Sequence, residues 1–234
     1  MKIALLGYGK MGKTIEQIAI KRGHEIVLKV DKNDDSYDIT QADVAIDFSI
    51  PTVAFNNISN CLNNGVPVIS GTTGWLQDYD KAVALCKEKN GGFIYASNFS
   101  LGVNIFFELN KTLAKMMNNL KEYNVTMEEI HHTQKLDAPS GTAITLAEGI
   151  IENHSGYDKW KLDEAAEKSL PIVAKRIEDV PGTHTINYES EVDTITIEHT
   201  AHNRQGFALG AVIAAEWIIG KQGVFNMNDV LNIG

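Results

Sequence analysis

The 234-residue chain is short of cysteine and proline, with two of the first and five of the second. Cys61 and Cys86 stand apart inside stretches of helical spacing, which excludes a disulfide framework or a cysteine metal cluster and suits a reducing compartment. No apolar run approaches the ~18 residues that a membrane helix needs. The short run Ile3 to Leu6 is cut off by glycine and does not read as a signal peptide, so a cytoplasmic protein without a membrane partner is expected. Basic residues are fewer than acidic ones, 21 against 30, and the formal charge of −9 disfavours nucleic acid as a partner. The seven histidines lack metal-ligand spacing, and neighbours such as His131 and His132 would point to opposite faces of a strand, so no metal site is expected. There is no internal repeat. What is left, 44% hydrophobic and 22% charged, is the composition of an ordinary globular protein with core enough for one large or two modest domains.

The most informative stretch present is HHTQKLDAPSGTA, residues 131 to 143. Asn124 to Ile130 mixes β-branched residues with alternating apolar positions, and Ala143, Leu146, Ala147 and Ile150 have helical spacing, so the motif ends a strand and opens a helix. Ser140 is a good N-cap, and the backbone N–H groups around Gly141 and Thr142 lie at the positive end of the helix dipole, where a carboxylate or phosphate is favoured. His131 can exchange a proton near neutrality, and Lys135 brings a cation across a short loop. Together they could protonate a reacting centre while the helix end holds a small anion. The competing reading makes both histidines a strand end and Lys135 a solvated loop residue. Asp137, ahead of Ala-Pro-Ser, reads as a turn former.

The N-terminal segment KIALLGYGKMGKTIEQIAIKRGHEIVLKVD reads as strand, glycine turn, helix and strand. Gly7, Gly9 and Gly12 form G-x-G-x-x-G with an apolar run before, a helix after, and Asp31 at the distance of a ribose-binding acid. Lys32 beside it could meet a 2′-phosphate, so both NADH and NADPH are expected to bind. Three strands follow in the order a dinucleotide fold needs: Asp43 to Phe48, Val66 to Ser70 leading into Gly71-Thr72-Thr73-Gly74, and Gly92 to Ala96 leading into Ser97-Asn98-Phe99-Ser100. Pro51 suits a first helical position. A long amphipathic helix from about Gly102 to Met117 comes next.

These residues together resemble the dihydrodipicolinate reductase family over nearly the whole chain. The resemblance rests on GYGKMG at 7–12, DFS at 47–49, GTTG at 71–74, SNFSLGVN at 97–104, HHTQKLDAPSGTA at 131–143, GTH at 182–184 and the R-x-x-F-A-x-G-A run ending at Ala211. It implies catalysis by His131 and Lys135, with His132, Gly141 and Thr142 binding substrate. It also implies a cofactor held by Gly7, Tyr8, Gly9, Lys10, Met11, Gly12, Asp31, Lys32, Gly71, Thr72, Thr73, Ala96, Ser97, Asn98 and Phe99. The implied reaction is NAD(P)H-dependent reduction of a cyclic dicarboxylate with loss of water, in the diaminopimelate route to lysine, by a homotetramer assembled through the second domain's sheet. The chain departs from the family in a very short link at 33–42, in Lys32 where arginine is frequent, and in Ser97 where proline is common.

The expected architecture is α/β: a Rossmann-type domain from residues 1–98 and 205–234, and a smaller α+β domain with an open mixed sheet from 99–204. Ile172 to Ile177, Thr183 to Glu189 and Thr194 to Thr200 read as the later strands, Asp158 to Ser169 as a charged surface helix or loop, and Phe207 to Ile219 as a buried helix despite Glu216. The turn 203–206 would return the chain to the first domain. The alternative to an enzyme is a Rossmann-type protein that senses NAD(P) or a metabolite without turnover, for which a histidine–lysine pair has no use.

Overall fold

The computed structural model describes every residue except Lys32, Asn33, Asp35, Ala165, Arg204 and Gly234. It contains two compact units, Met1–Asn104 with Gln205–Gly234, and Ile105–Arg204.

In the first unit, β1 (Lys2–Leu6), β2 (Glu25–Val30), β3 (Val44–Asp47), β4 (Val68–Ser70), β5 (Gly92–Tyr95) and β11 (Gly223–Phe225) form one sheet in the order β11-β5-β4-β3-β1-β2. Every described pairing in it is parallel. Its strands are apolar at nearly every position because both faces are covered. Ile3 and Leu5 of β1 join one core cluster with α1 (Lys10–Lys21) and α6 (Gln205–Ile218), while Ala4 and Leu6 join the other with α2 (Pro51–Asn63) and α3 (Tyr79–Glu88). The strand order reverses between β1 and β3, and ligands of such sheets bind at the carboxyl ends beside that reversal. Among the described residues of the 33–42 link the only element is the single turn Ile39–Gln41, and β2 is the sheet's edge.

Glu216 survives in the apolar α6 because it has partners. Arg22 donates two hydrogen bonds of 2.7 Å to its carboxylate, and the His24 ring lies 2.7 Å from Oε1. The turn expected at 203–206 is shorter than the sequence suggested: Gln205 and Gly206 already belong to α6, and Arg204 lies outside the described residues.

The second unit carries a mixed sheet in the order β10-β9-β6-β8-β7, formed by β6 (Asn124–His131), β7 (Lys159–Leu162), β8 (Ser169–Arg176), β9 (Gly182–Glu189) and β10 (Thr194–Ala201). β6 is central, antiparallel to β9 and parallel to β8. The reading of 158–169 as helix or loop is corrected here: Lys159–Leu162 pairs in parallel with β8, and β8 begins at Ser169, three residues earlier than its apolar pattern indicated. Charged residues misled because an edge strand needs apolar side chains on one face only, here Trp160 and Leu162 in alternation with lysines. Val125, Met127, Ile186 and Tyr188 pack on α5 (Gly141–Asn153) and on Phe106, Ala114 and Met117 of α4 (Leu101–Met117).

Candidate active site

The strand period of two builds the centre. Glu129 and His131, two apart on β6, point to the same buried face, and His132 turns away. The β6–β9 register sets His184 directly across from Glu129, and the β6–β8 register sets Arg176 across from His131. Four chemically active side chains from three strands therefore meet at one end of the sheet.

Glu129 is 0% exposed. Its Oε2 lies 3.5 Å from His131 Nδ1 and 3.6 Å from His184 Nε2, and both its oxygens accept the Ser140 backbone N–H at 3.1 Å. Arg176 faces Oε1 at 3.4 Å through Nη2. Burial alone would raise the Glu129 pKa, but the neighbouring His184, hydrogen bonding from Ser140 and the charge of His131 outweigh it and bring the carboxyl down to about 2. His131 is pushed the other way. Burial disfavours its cation and outweighs Glu129, and His184, Lys135 and Arg176 add to the effect, holding its pKa down to about 4. At neutral pH the ligand-free imidazole is uncharged. Its ring meets His184 edge-on with centroids 5.1 Å apart, and a Cβ at Gly182 would lie 3.1 Å from its Nε2, so the GTH glycine leaves this nitrogen uncovered.

Lys135 stands on the loop after β6 and donates to both oxygens of the exposed Asp137 at 2.8 Å. Asp137, read from sequence as a turn former, is thus also the ammonium's partner. Arg176 ties the same loop, donating to the carbonyl oxygens of Asp137 at 2.7 Å and Lys135 at 3.3 Å. Ser140 caps α5, its Oγ accepting the Ala143 N–H at 3.2 Å, and lies 3.2 Å from His184 Nε2. Beyond the cap, Gly141 is exposed, with none of the described residues within 4 Å of where a Cβ would stand. Thr142 is half-buried next to it. His132 lines a separate depression of about 290 Å³ with Thr133, Gln134 and Glu178.

Glu129, Arg176 and the partnership of His131 with His184 were missed in the sequence. E-x-H within an alternating strand was the available signal for Glu129, whereas the cross-strand partners depend on register. Donor atoms of Glu129, His131 and His184 lie within 4.8 Å of one another, so the metal argument from spacing overlooked a cluster built across strands. Arg176 already supplies positive charge to that carboxylate.

In the first unit, the glycine loop fits a dinucleotide. Gly7 has φ +98°, and a Cβ there would meet the Phe48 carbonyl oxygen at 2.2 Å; one on Gly12 would meet the Gly7 carbonyl oxygen at 2.3 Å. Gly9, the N-cap of α1, has none of the described residues within 4 Å of a Cβ position, and among them α1 has neither a side-chain cap nor an acid in its first turn. Its N–H groups suit a pyrophosphate. Tyr8 donates to Glu16, which also pairs with Lys29, and the Lys29 ammonium lies 4.8 Å from the Tyr8 ring centroid. Lys10 and Met11 open α1. Asp31 is exposed just past β2; Lys32 lies outside the described residues.

At the ends of β3 and β4, the fully buried Asp47 accepts from Ser49 Oγ at 2.7 Å, Asn57 Nδ2 at 3.0 Å, Ser70 Oγ at 2.8 Å and Thr72 Oγ1 at 2.8 Å. Burial pushes this carboxyl up while the four bonds pull it down, burial prevailing. Asp47 thereby fixes the DFS and GTTG loops to each other. Gly71 packs on the Phe48 ring, Thr73 is exposed, and Ala96 donates its N–H to the Ser70 carbonyl at 3.2 Å. Ser97 is exposed, Asn98 Oδ1 accepts the Ser100 N–H at 2.8 Å, and Phe99 is buried in the core, leaving only its backbone for a ligand.

A parallel sheet with an uncapped glycine loop beside its order reversal, joined in one chain to a mixed-sheet unit carrying a histidine–carboxylate centre, is the architecture of a Rossmann-type oxidoreductase. Residues 1–99 match the family described as dihydrodipicolinate reductase, N-terminus, and residues 102–231 match dihydrodipicolinate reductase, C-terminus. The chain belongs to the dihydrodipicolinate reductase family. It is 60% identical over 234 residues to a 4-hydroxy-tetrahydrodipicolinate reductase of Christiangramia forsetii, covering 99% of this chain and 98% of that one. It is 33% identical over 230 residues to the reductase of the same name from Neisseria gonorrhoeae, covering 93% and 84%. In fold it is similar to a dihydrodipicolinate reductase from Paenisporosarcina sp. TG-14 solved with dipicolinate bound, with a TM-score of 0.81 at 24% identity over 97% of each chain. It also shares its fold with aspartate semialdehyde dehydrogenase II of Vibrio cholerae, with a TM-score of 0.54 at 13% identity over 92% of this chain and 97% of that one.

Proposed function

We infer that the chain is an NAD(P)H-dependent 4-hydroxy-tetrahydrodipicolinate reductase, acting in the diaminopimelate route to lysine. The observation that carries the assignment of roles is the meeting of His131, the Lys135 loop and the Ser140-capped end of α5 around Glu129. The reaction takes up one hydride and one proton and releases the substrate's hydroxyl as water. A reduced nicotinamide, when bound, supplies the hydride.

Gly7, Gly9 and Gly12 with the first turn of α1 would hold the pyrophosphate, and Asp31 and Lys32 the adenosine ribose. The loops 71–73 and 96–99 would border the nicotinamide. Gly141 and Thr142 would take one substrate carboxylate at the α5 N-terminus. Lys135 would exchange Asp137 for the substrate, since an exposed aspartate is a weak competitor for a lysine ammonium. Two carboxylates arriving beside His131 favour its imidazolium and so counteract the burial that keeps it neutral. Lys135 and His131 then hold the proton that completes reduction, and His132 contacts substrate from the neighbouring depression. The sheet face of the second unit that α4 and α5 leave uncovered, bearing Thr126, Glu128 and Ile130 of β6, is the surface we assign to a homotetramer in the cytoplasm.

The assignment is tested by supplying the cyclic hydroxy-dicarboxylate with NADH or NADPH and following loss of the reduced cofactor. Tight cofactor binding with no turnover would favour the sensing protein instead.

A further inference from the structure

Glu129 is a buried acid with no place of its own in the proton transfer. Core filling does not require it, since Val125 and Met127 on the same face are apolar. A buried carboxylate persists where charge and hydrogen bonds compensate it. The compensating groups here are the ones that carry the assigned chemistry or hold it in place: His131, His184, the Ser140 N–H at the start of α5, and Arg176.

Arg176 spreads its donors over several acceptors. Nη2 reaches the Asp137 carbonyl at 2.7 Å, Nε the Lys135 carbonyl at 3.3 Å and Nη1 the Lys175 carbonyl at 2.9 Å, while Nη1 and Nη2 face Glu129 Oε1 at 3.5 and 3.4 Å. A lysine ammonium cannot span that set. On the other side of the carboxylate, His131 Nδ1 is buried with no hydrogen-bond partner among the described residues nearer than the Glu129 oxygen at 3.5 Å. A carboxylate there favours the tautomer protonated on Nδ1, leaving Nε2, beside Gly182, to exchange protons.

We propose that Glu129 and Arg176 form a brace that positions both proton-handling groups at once, the carboxylate orienting the His131 ring and the guanidinium holding the backbone from which Lys135 projects. Both are positioning residues, acting through groups that touch substrate. The proposal rests on the assignment of His131 and Lys135 made above. Among the described residues, the charged and titratable groups facing His131 are Glu129 on β6, His184 on β9, Arg176 on β8 and Lys135 on the loop, so removal of Glu129 leaves only cations or neutral groups of this set around the ring.

The test uses the full chain with Glu129→Gln, Arg176→Met and Arg176→Lys, read by NMR titration of the histidine rings, by kcat and KM, and by NADH affinity without substrate. Glu129→Gln is expected to move the His131 midpoint at least about half a pH unit toward acid and to lower kcat about tenfold or more, with KM and NADH affinity within about threefold of the parent. Arg176→Met is expected to lose kcat similarly, and Arg176→Lys to recover little of it. An unmoved His131 midpoint in Glu129→Gln, or full turnover in Arg176→Lys, overturns the brace. Should Glu129→Gln fail to fold, the arginine pair decides by the same kcat comparison. A parent chain with no turnover would instead sink the reaction assignment, and the His131 titration would still decide whether Glu129 governs the ring.

Discussion

Replacing Asp47 by alanine should unlock the cofactor loops and cost the first unit a measurable share of its stability. The carboxylate receives four donors at 2.7 to 3.0 Å. Ser49 can turn to solvent, but Ser70, Thr72 and Asn57 are 0%, 4% and 8% exposed and cannot. An unpaired buried donor costs about 1–3 kcal/mol, and hydroxyls recover part of this by rotation, so the three together set an expected loss of about 3–5 kcal/mol. Asp47→Asn should cost less, about 1–2 kcal/mol, because its oxygen still serves Ser49 and Asn57 while Ser70 and Thr72 can become acceptors. Trp75, fully buried, donates its indole N–H to the Thr72 carbonyl at 2.7 Å and so reports the same loop. Urea unfolding followed by tryptophan fluorescence gives the stability, and an NADH titration gives the affinity, which should fall about tenfold or more in the alanine variant as Ser49 and Thr72 lose their shared anchor. An alanine variant within about 1 kcal/mol of the parent, with unaltered NADH binding, would refute this reasoning.

His131→Ala and Lys135→Ala should each lose about 10²–10⁴ in turnover with folding intact by circular dichroism, and near-normal rates in both would remove them from the mechanism. Thr142→Val should raise the KM for the dicarboxylate while dinucleotide affinity measured without substrate stays unchanged; a crystal with pyridine-2,6-dicarboxylate would show whether a carboxylate reaches the 140–142 turn. NADH and NADPH should both bind, and calorimetry showing a gap of about a hundredfold, roughly 2.7 kcal/mol, would exclude dual use. Acid should destabilise the fold through His131: a pKa held down to about 4 means the unfolded chain binds the proton more tightly, so this stability is complete above about pH 6.5 and lost as pH falls toward 4. Between pH 7 and 5 the parent should therefore lose about 2 kcal/mol more than His131→Gln in urea titrations, and parallel losses would contradict the assigned burial.

Much of the fold was legible because local patterns carried it. G-x-G-x-x-G between an apolar strand and a helix, Ser140 before a run of helical spacing, and alternation in β6 and β9 each express backbone geometry over a few residues. The edge strand Lys159–Leu162 was not legible, because a half-exposed strand among charges has too little apolar pattern to tell it from a loop. Glu216 looked out of place in an apolar helix until Arg22 and His24, about 190 residues away in sequence, were seen on its carboxylate.

By itself the sequence determined most of the strands and helices, which residue types stand at the turns between them, and that a histidine, a lysine and a capped helix start fall within a dozen residues. Only the tertiary structure decided that Glu129 faces His184 and that His131 faces Arg176, because strand order and register are set by the summed burial of whole faces. A shift of one residue in β9 would turn His184 outward and leave Glu129 buried without that partner. The same reason explains Asp47: its four donors come from a strand end, a helix and two loops, and no spacing in the chain relates them until the parallel sheet brings β3 and β4 side by side.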